Sequence, residues 1–277
     1  MERSTFFDLA CENVEEENQT SDKQELLGLH FGKIRQKRGW NEAHGRYTVF
    51  FTDPIWNMSE KTFFEVRQLL SEELFRFLSD AWKEEENREK LLLVAGLGNP
   101  NMTADALGAR VVDRVDVTRK IREDEKSPVK LCAVSLGVLG TTGIETFEHV
   151  DALCRYLHPS AVLTVDALSA KSQSHVGAAI QISSGGISPG GGVGRPQKIL
   201  SSKTLGVPVV SIGIPTVVRS SVMIREAMAE MGVRLTQKEQ QAFSKDSFFM
   251  MPKECDLLLQ SASLLLSSAI GRVGGFF

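Results

Sequence analysis

Cysteine is sparse in this chain: Cys11, Cys132, Cys154 and Cys255 lie far apart and form no Cys-x-x-Cys pair. That spacing points away from a zinc site or a disulfide framework, and toward free thiols in a reducing cytoplasm. No apolar run approaches the length of a membrane span, and Met1-Glu2-Arg3 opens no secretory signal. No membrane partner is therefore expected. The five histidines, His30, His44, His149, His158 and His175, never take His-Glu-x-x-His spacing. Each reads as a surface or capping residue, so no metal and no cofactor are expected. A Gly-x-Ser-x-Gly nucleophile elbow is missing as well. Strong charge of one sign is absent too. A net charge of -3 and a pI near 6.0 give no electrostatic reason to bind nucleic acid.

What is present begins with Leu91 to Gly108, LLLVAGLGNPNMTADALG. Four apolar residues run into Gly96-Leu97-Gly98-Asn99, which reads as a buried parallel strand ending in a turn. Leu107, Val111 and Val115 then recur four apart, on one helix face. The motif is a strand, a turn and a helix, with Asp105 where the helix opens. It is not a dinucleotide fingerprint, because Asn101 stands where a third glycine belongs, and no Gly-Lys-Ser/Thr ending makes it a P-loop. Taken alone, Asp105 or Thr103 could serve only as a helix N-cap.

The rest of the chain follows an α/β rhythm. Residues 11–25 are acidic and poor in large apolar groups, so a mobile segment is expected there. A strand is predicted at Arg46–Thr52, and a long helix from Glu60 to about Lys90, capped by Ser59, with an apolar stripe through Phe63, Val66, Leu70, Leu74 and Phe77. Further strands are expected at Val129–Leu136, at Ala161–Val165 ending on Asp166, at Ala178–Ile182 and at Val207–Ile212. Helices are expected at Glu145–Leu157 and Pro252–Ile270. This alternation predicts one three-layer α/β/α domain over 1–277, with a mostly parallel sheet and an extra N-terminal strand and helix. No repeat or linker divides the chain.

Asp105 and Asp166 each follow a predicted strand, so neighbouring strands would bring both carboxylates into one crevice. Carboxylates that share a crevice titrate apart: one stays ionised to activate water while the other holds a proton. That is chemistry suited to peptide hydrolysis. Asp166 alone reads equally as a turn residue or cap. The segment Ser184–Gly194 has six glycines in eleven residues, which suits either a rim that approaches a ligand closely or a flexible connection.

Six pieces in fixed order carry a resemblance: GLGNPNMTADALG at 96–108, TTGIETFEHV at 141–150, VLTVDALSAKS at 162–172, AIQISSGGISPGGGVG at 179–194, SIGIPTVV at 211–218 and MMPKECDLLL at 250–259. Together they resemble the germination proteases of endospore-forming bacteria. The resemblance implies an atypical aspartic endopeptidase that degrades small acid-soluble spore proteins in the spore cytoplasm. It implies Asp105 and Asp166 as the catalytic pair, with Gly98, Asn99, Gly143, Glu145, Gly190 and Gly192 along the crevice. It also implies a homotetramer, a core like that of hydrogenase maturation proteases, and a zymogen whose propeptide would end near residue 7, before Asp8-Leu9-Ala10. The sequence departs from the family pattern at Ser184-Gly185, Ser188 and Arg219. These departures motivate a second reading, a silent homologue that binds spore proteins without cutting them. A metal-assisted maturation protease is the third.

Overall fold

The apolar runs of the sequence become the inner strands of one eight-stranded sheet in the computed structural model. The structure describes residues 9–13, 34–82, 90–120, 129–189, 198–233, 236, 239 and 248–273. In chain order the elements are α1 (Ala10–Asn13), β1 (Arg35–Asn41), β2 (Gly45–Phe51), α2 (Glu60–Ala81), β3 (Lys90–Gly96), α3 (Leu107–Val112), β4 (Val129–Ser135) and α4 (Leu139–Thr142). Then follow α5 (Thr146–Leu157), β5 (Ala161–Ala170), β6 (Ala179–Ser183), α6 (Ser202–Leu205), β7 (Val209–Arg219), α7 (Ser220–Glu230), β8 (Phe249–Met250) and α8 (Cys255–Val273).

The strand order is β1-β2-β6-β7-β5-β3-β4, with β8 paired to the far end of β7. The pairs β3–β4, β3–β5 and β5–β7 are parallel, whereas β1–β2, β2–β6 and β6–β7 are antiparallel. Strands β2, β3, β4, β5 and β7 thus run one way, and β1, β6 and β8 the other. Alternate residues of β3 serve opposite faces, as a pleated strand requires. Leu92 and Val94 join the cluster that includes α2, α3 and α8 residues, while Leu93 and Ala95 join the one under α5 and α6. Helices therefore cover both faces, the α/β/α arrangement that the alternation predicted. Burying side chains such as Leu92, Leu93 and Val94 contributes about 1.5–3 kcal/mol each.

Helix α2 starts where Ser59 accepts the Thr62 N–H, and it buries Val66, Leu70, Leu74 and Phe77. It is shorter than its sequence pattern: the helix ends at Ala81 with Trp82 as C-cap, and Lys90 already belongs to β3. A buried carboxylate fastens it to the sheet. Glu73 accepts from Arg38 of β1 at 3.0 Å and from Thr48 of β2 at 2.5 Å, and it also pairs with Arg76 one turn on. Burial alone would raise the Glu73 carboxyl, but the Arg76 and Thr48 hydrogen bonds and the Arg76 and Arg38 charges hold it below its ordinary value.

Two further expectations change. Strand β5 does not stop at Asp166 but runs on to Ala170, and β7 runs past Ile212 to Arg219. Their mutual pairing from Val162–Val209 to Ala170–Val218 carries both strands through polar and glycine-bearing stretches beyond the apolar runs. The loop after β4 contains α4, a short helix closed by Gly143 at φ 72°. Finally, the stretch expected to be mobile begins inside α1. Leu9, Ala10 and Cys11 are buried, with the Ala10 N–H donating to Gln181 Oε1 at 2.6 Å and Asn41 Nδ2 donating to the Ala10 carbonyl at 3.3 Å. Residues 14–25 lie outside the described residues.

Candidate active site

The β3–α3 junction is built by two close approaches. A Cβ on Gly108 would lie 2.4 Å from both Leu97 N and Leu97 O, and 2.5 Å from the Val165 carbonyl. Only a glycine there lets α3 settle directly on the ends of β3 and β5. Gly98 has φ +93°, and a Cβ on it would meet the Asp105 carbonyl at 2.1 Å and Oδ1 at 2.8 Å. Gly98 is thus needed both for its backbone angle and for the space that Asp105 occupies.

Asp105 sits in a short 3₁₀ turn, Thr103–Asp105, ahead of α3. The helix N-cap is Ala106, and no side chain caps it, so the capping role considered for Asp105 and Thr103 is not what the structure displays. The Asp105 carboxylate turns back instead, and its Oδ2 accepts the Asn99 N–H at 2.7 Å. Burial pushes its carboxyl above the ordinary value of 3.8, and the Asn99 bond opposes that only in part. The turn is held from a third strand. Thr216 of β7, completely buried, donates through Oγ1 to the Ala104 carbonyl at 2.6 Å.

Asp166 lies within β5 and not at its end, half-buried, with the Ala167 N–H donating to its Oδ1 at 2.9 Å. The Leu97 N–H donates to the Val165 carbonyl at 2.9 Å, so the segment leading into Gly98 and Asn99 is bonded to the residue just before Asp166. The 103–105 turn also packs on both β5 and β7. Asp166 and Gln181 are both in register with Gly213, so their side chains leave the same face of the sheet. Between them Gly213 contributes no side chain.

Gly98, Asn99 and Asp105 are therefore in direct contact, and Asp166 is one residue away from the backbone bond that joins the two strands. Gly143 and Glu145 follow β4 in an adjoining connection. Their hydrogen bonds are local: Gly143 N–H to the Leu139 carbonyl, and Glu145 N–H to the Glu148 carboxylate at the start of α5. Gly190 and Gly192 lie outside the described residues. Ser184 and Gly185, just before them, pack on the β1–β2 turn, where the Gly185 N–H donates to the His44 carbonyl at 2.7 Å. Sequence reasoning missed Thr216, because a threonine in an apolar run reads only as a strand former. Among the described residues no group of three or more His, Cys, Asp or Glu side chains is placed to hold a metal.

These features define an α/β protein whose candidate site is a partly buried carboxylate at the carboxyl end of a parallel strand. A family model described as germination protease matches residues 7–253, and the chain belongs to that family. It is 32% identical to the germination protease of Clostridium acetobutylicum over 239 residues, 74% of this chain and 71% of that one. Similarity to the Clostridium tetani germination protease is 35% identity over 207 residues, 64% of each chain. With the Clostridium perfringens protein it is 42% over 147 residues, 50% of this chain and 45% of that one. The alignments with the last two thus span less than two thirds of those relatives. Membership supports a protease function associated with spore germination.

Proposed function

We propose that this chain is an endopeptidase that starts the breakdown of small acid-soluble spore proteins in the spore cytoplasm, using Asp105 and Asp166 as an acid/base pair without a cofactor. The observation that carries the reading is the Asp105 carboxyl, folded into the Gly98–Asn99 turn and pushed by burial toward its protonated form. In this reading Asp105 supplies the proton to the substrate and Asp166 accepts one from water.

In this mechanism Asp166 takes a proton from water as the water oxygen adds to the scissile carbonyl carbon. Asp105 gives its proton to the carbonyl oxygen, which yields a neutral gem-diol. Collapse breaks the C–N bond. The proton on Asp166 passes to the departing amine nitrogen, and Asp105 recovers a proton from a diol hydroxyl. Peptide cleavage would be followed with a purified spore protein at mildly acidic and neutral pH. Asp105→Asn and Asp166→Asn should each abolish cutting while circular dichroism stays native; undiminished cleavage by either variant overturns the pair. Binding without products in wild type would favour the silent homologue instead.

The same reading includes self-processing of an N-terminal leader and assembly as a homotetramer, on a core of the hydrogenase maturation protease type. Anchoring of Leu9 and Ala10 beside Gln181, on the face that Asp166 shares, supports the first of these. Residues 1–8 and 274–277 lie outside the described residues. Intact mass on acidification should fall by about seven residues in wild type and stay constant in Asp105→Asn. Light scattering that gave a monomer at micromolar concentration would remove the tetramer.

A further inference from the structure

Strand β3 stops short of its neighbour. Its last pair is Gly96 with Val165, and the Leu97 N–H to the Val165 carbonyl is the last bond between the two before Gly98, at φ +93°, turns the chain away. Strand β5 runs on from Asp166 to Ala170, held on its other side by β7. Backbone groups of successive strand residues point to opposite sides. The Val162 N–H donates to the Pro208 carbonyl ahead of β7, while the Val165 carbonyl accepts from Leu97. Even-numbered residues of β5 thus bond toward β7 and odd-numbered ones toward β3, so the N–H and C=O of Ala167 point into the place that β3 has left. Ala167 is half-buried, and its N–H donates to the carboxylate of the adjoining residue, Asp166 Oδ1 at 2.9 Å. Among the described residues its carbonyl accepts no bond outside the strand ladder. This open edge lies between the two carboxylates. Val162 packs with Phe147, Val150 and Cys154 of α5, and Asp166 leaves the same face of β5. Asp105 belongs to the turn that leads into α3, whose Leu107 and Val111 pack with Leu163 and Val165 on the opposite face.

We propose that a polypeptide substrate binds here as an added strand: an extended segment continues the line of β3, its main chain bonded to Ala167 and its scissile peptide between Asp105 and Asp166. The inference rests on the protease reading and deepens it by assigning how the substrate is held. Strand addition to a sheet edge draws its affinity from main-chain hydrogen bonds, whatever the side chains. A strand in the plane of the sheet turns the two sides of each peptide group toward the two faces of the sheet. Water held by Asp166 then meets the carbonyl carbon across the peptide plane, the direction from which addition occurs. The incoming carbonyl takes over the Ala167 N–H and releases Asp166 Oδ1 to that water.

The test uses the full chain and labelled peptides that span the cut site of a spore protein. Each peptide has one main-chain N–H replaced by an ester oxygen, the scissile bond excepted. An ester removes a donor without adding bulk. Wild type should lose about 10-fold in kcat/KM at one residue near the cut, and little at the residues on either side, whose N–H groups face away from β5. Ala167→Pro removes the donor on the protein side and leaves the β5–β7 ladder intact. It should keep a native thermal melt, cut the unaltered peptide about 10-fold less well, and no longer discriminate against the ester. A merely structural role would keep the ester penalty. Equal kcat/KM for all the ester peptides, or a penalty undiminished in Ala167→Pro, overturns the added strand while the protease reading stands. If Ala167→Pro fails to fold, the ester series on wild type decides alone. If wild type cuts none of the peptides, anisotropy is read instead. Binding weakened by that single ester then keeps the added strand and removes the protease reading, and binding indifferent to every ester removes both. Self-association lost in Ala167→Pro with unchanged kinetics would give the edge to a second copy and overturn the proposal.

Discussion

Thr216 on β7 donates its hydroxyl proton to the carbonyl of Ala104 at 2.6 Å, and so ties the peptide preceding Asp105 to a strand two places away from β3. Thr216→Val keeps the shape and removes the donor. It should cost about 1–2 kcal/mol in denaturant unfolding, since a carbonyl loses its partner at a buried site. It should also lower turnover on a spore protein by displacing Asp105, with Thr216→Ser restoring both. Wild-type turnover in Thr216→Val would take Thr216 out of the positioning of Asp105.

Gly98 admits no side chain without moving Asp105. Gly98→Ala places a Cβ 2.1 Å from the Asp105 carbonyl at a backbone angle of φ +93°. We expect a loss of at least about 1 kcal/mol of stability and a far larger loss of cleavage. A Gly98→Ala protein that cuts as well as wild type would show that the turn and Asp105 are not coupled.

Asp105 should make stability depend on pH in a direction opposite to most carboxylates. Burial raises its folded value above the ordinary 3.8. Below both values the group is protonated in either state and costs nothing. As pH rises through 3.8 the unfolded chain ionises first, so the folded state loses stability until pH passes the folded value, and the loss then stays constant. Asp105→Asn should therefore be more stable than wild type at neutral pH, with the gain shrinking in acid. Urea midpoints measured from pH 3 to 8 that show no such gain would count against a desolvated carboxylate.

Glu73 behaves in the usual sense. Its folded value lies below the ordinary one, so its contribution is present above 4.5 and is lost as pH falls through the folded value. Glu73→Gln leaves Arg38 and Arg76 facing a neutral amide and should cost about 2 kcal/mol at neutral pH, less than a wholly buried pair because both arginines are partly solvated. The difference from wild type should narrow below pH 4. Thermal melts at two pH values would check this, and a cost that does not change with pH would assign it to packing.

Much of the fold could be read from periodicity. The β3 run at Leu92, Leu93 and Val94, the α2 stripe at Val66, Leu70, Leu74 and Phe77 behind its Ser59 cap, and Leu258, Ala262, Leu265 and Ala269 of α8 are all buried, while Phe63 and Leu91 of the same patterns are only partly so. The positions that failed share a cause. Strand β1, RQKRGWN, lies at the sheet's edge and carries charges there, so it lacks the apolar signature of a buried strand. Cys11 belongs to a segment, 11–25, whose composition reads as mobile, yet it is buried in a short helix whose Ala10 N–H is bonded to Gln181, 171 residues away.

The sequence by itself determined the strand–turn–helix around Gly98 and Asp105, because apolar spacing and glycine placement act over a few neighbouring residues. Only the tertiary structure decided that Asp105 turns away from the helix to the Asn99 N–H, that β5 continues through Asp166, and that Thr216 holds the intervening turn. Each of these depends on a partner that the chain brings close only when strands pair across the sheet. Local pattern cannot specify a hydrogen bond whose donor and acceptor, like Thr216 and Ala104, are 112 residues apart.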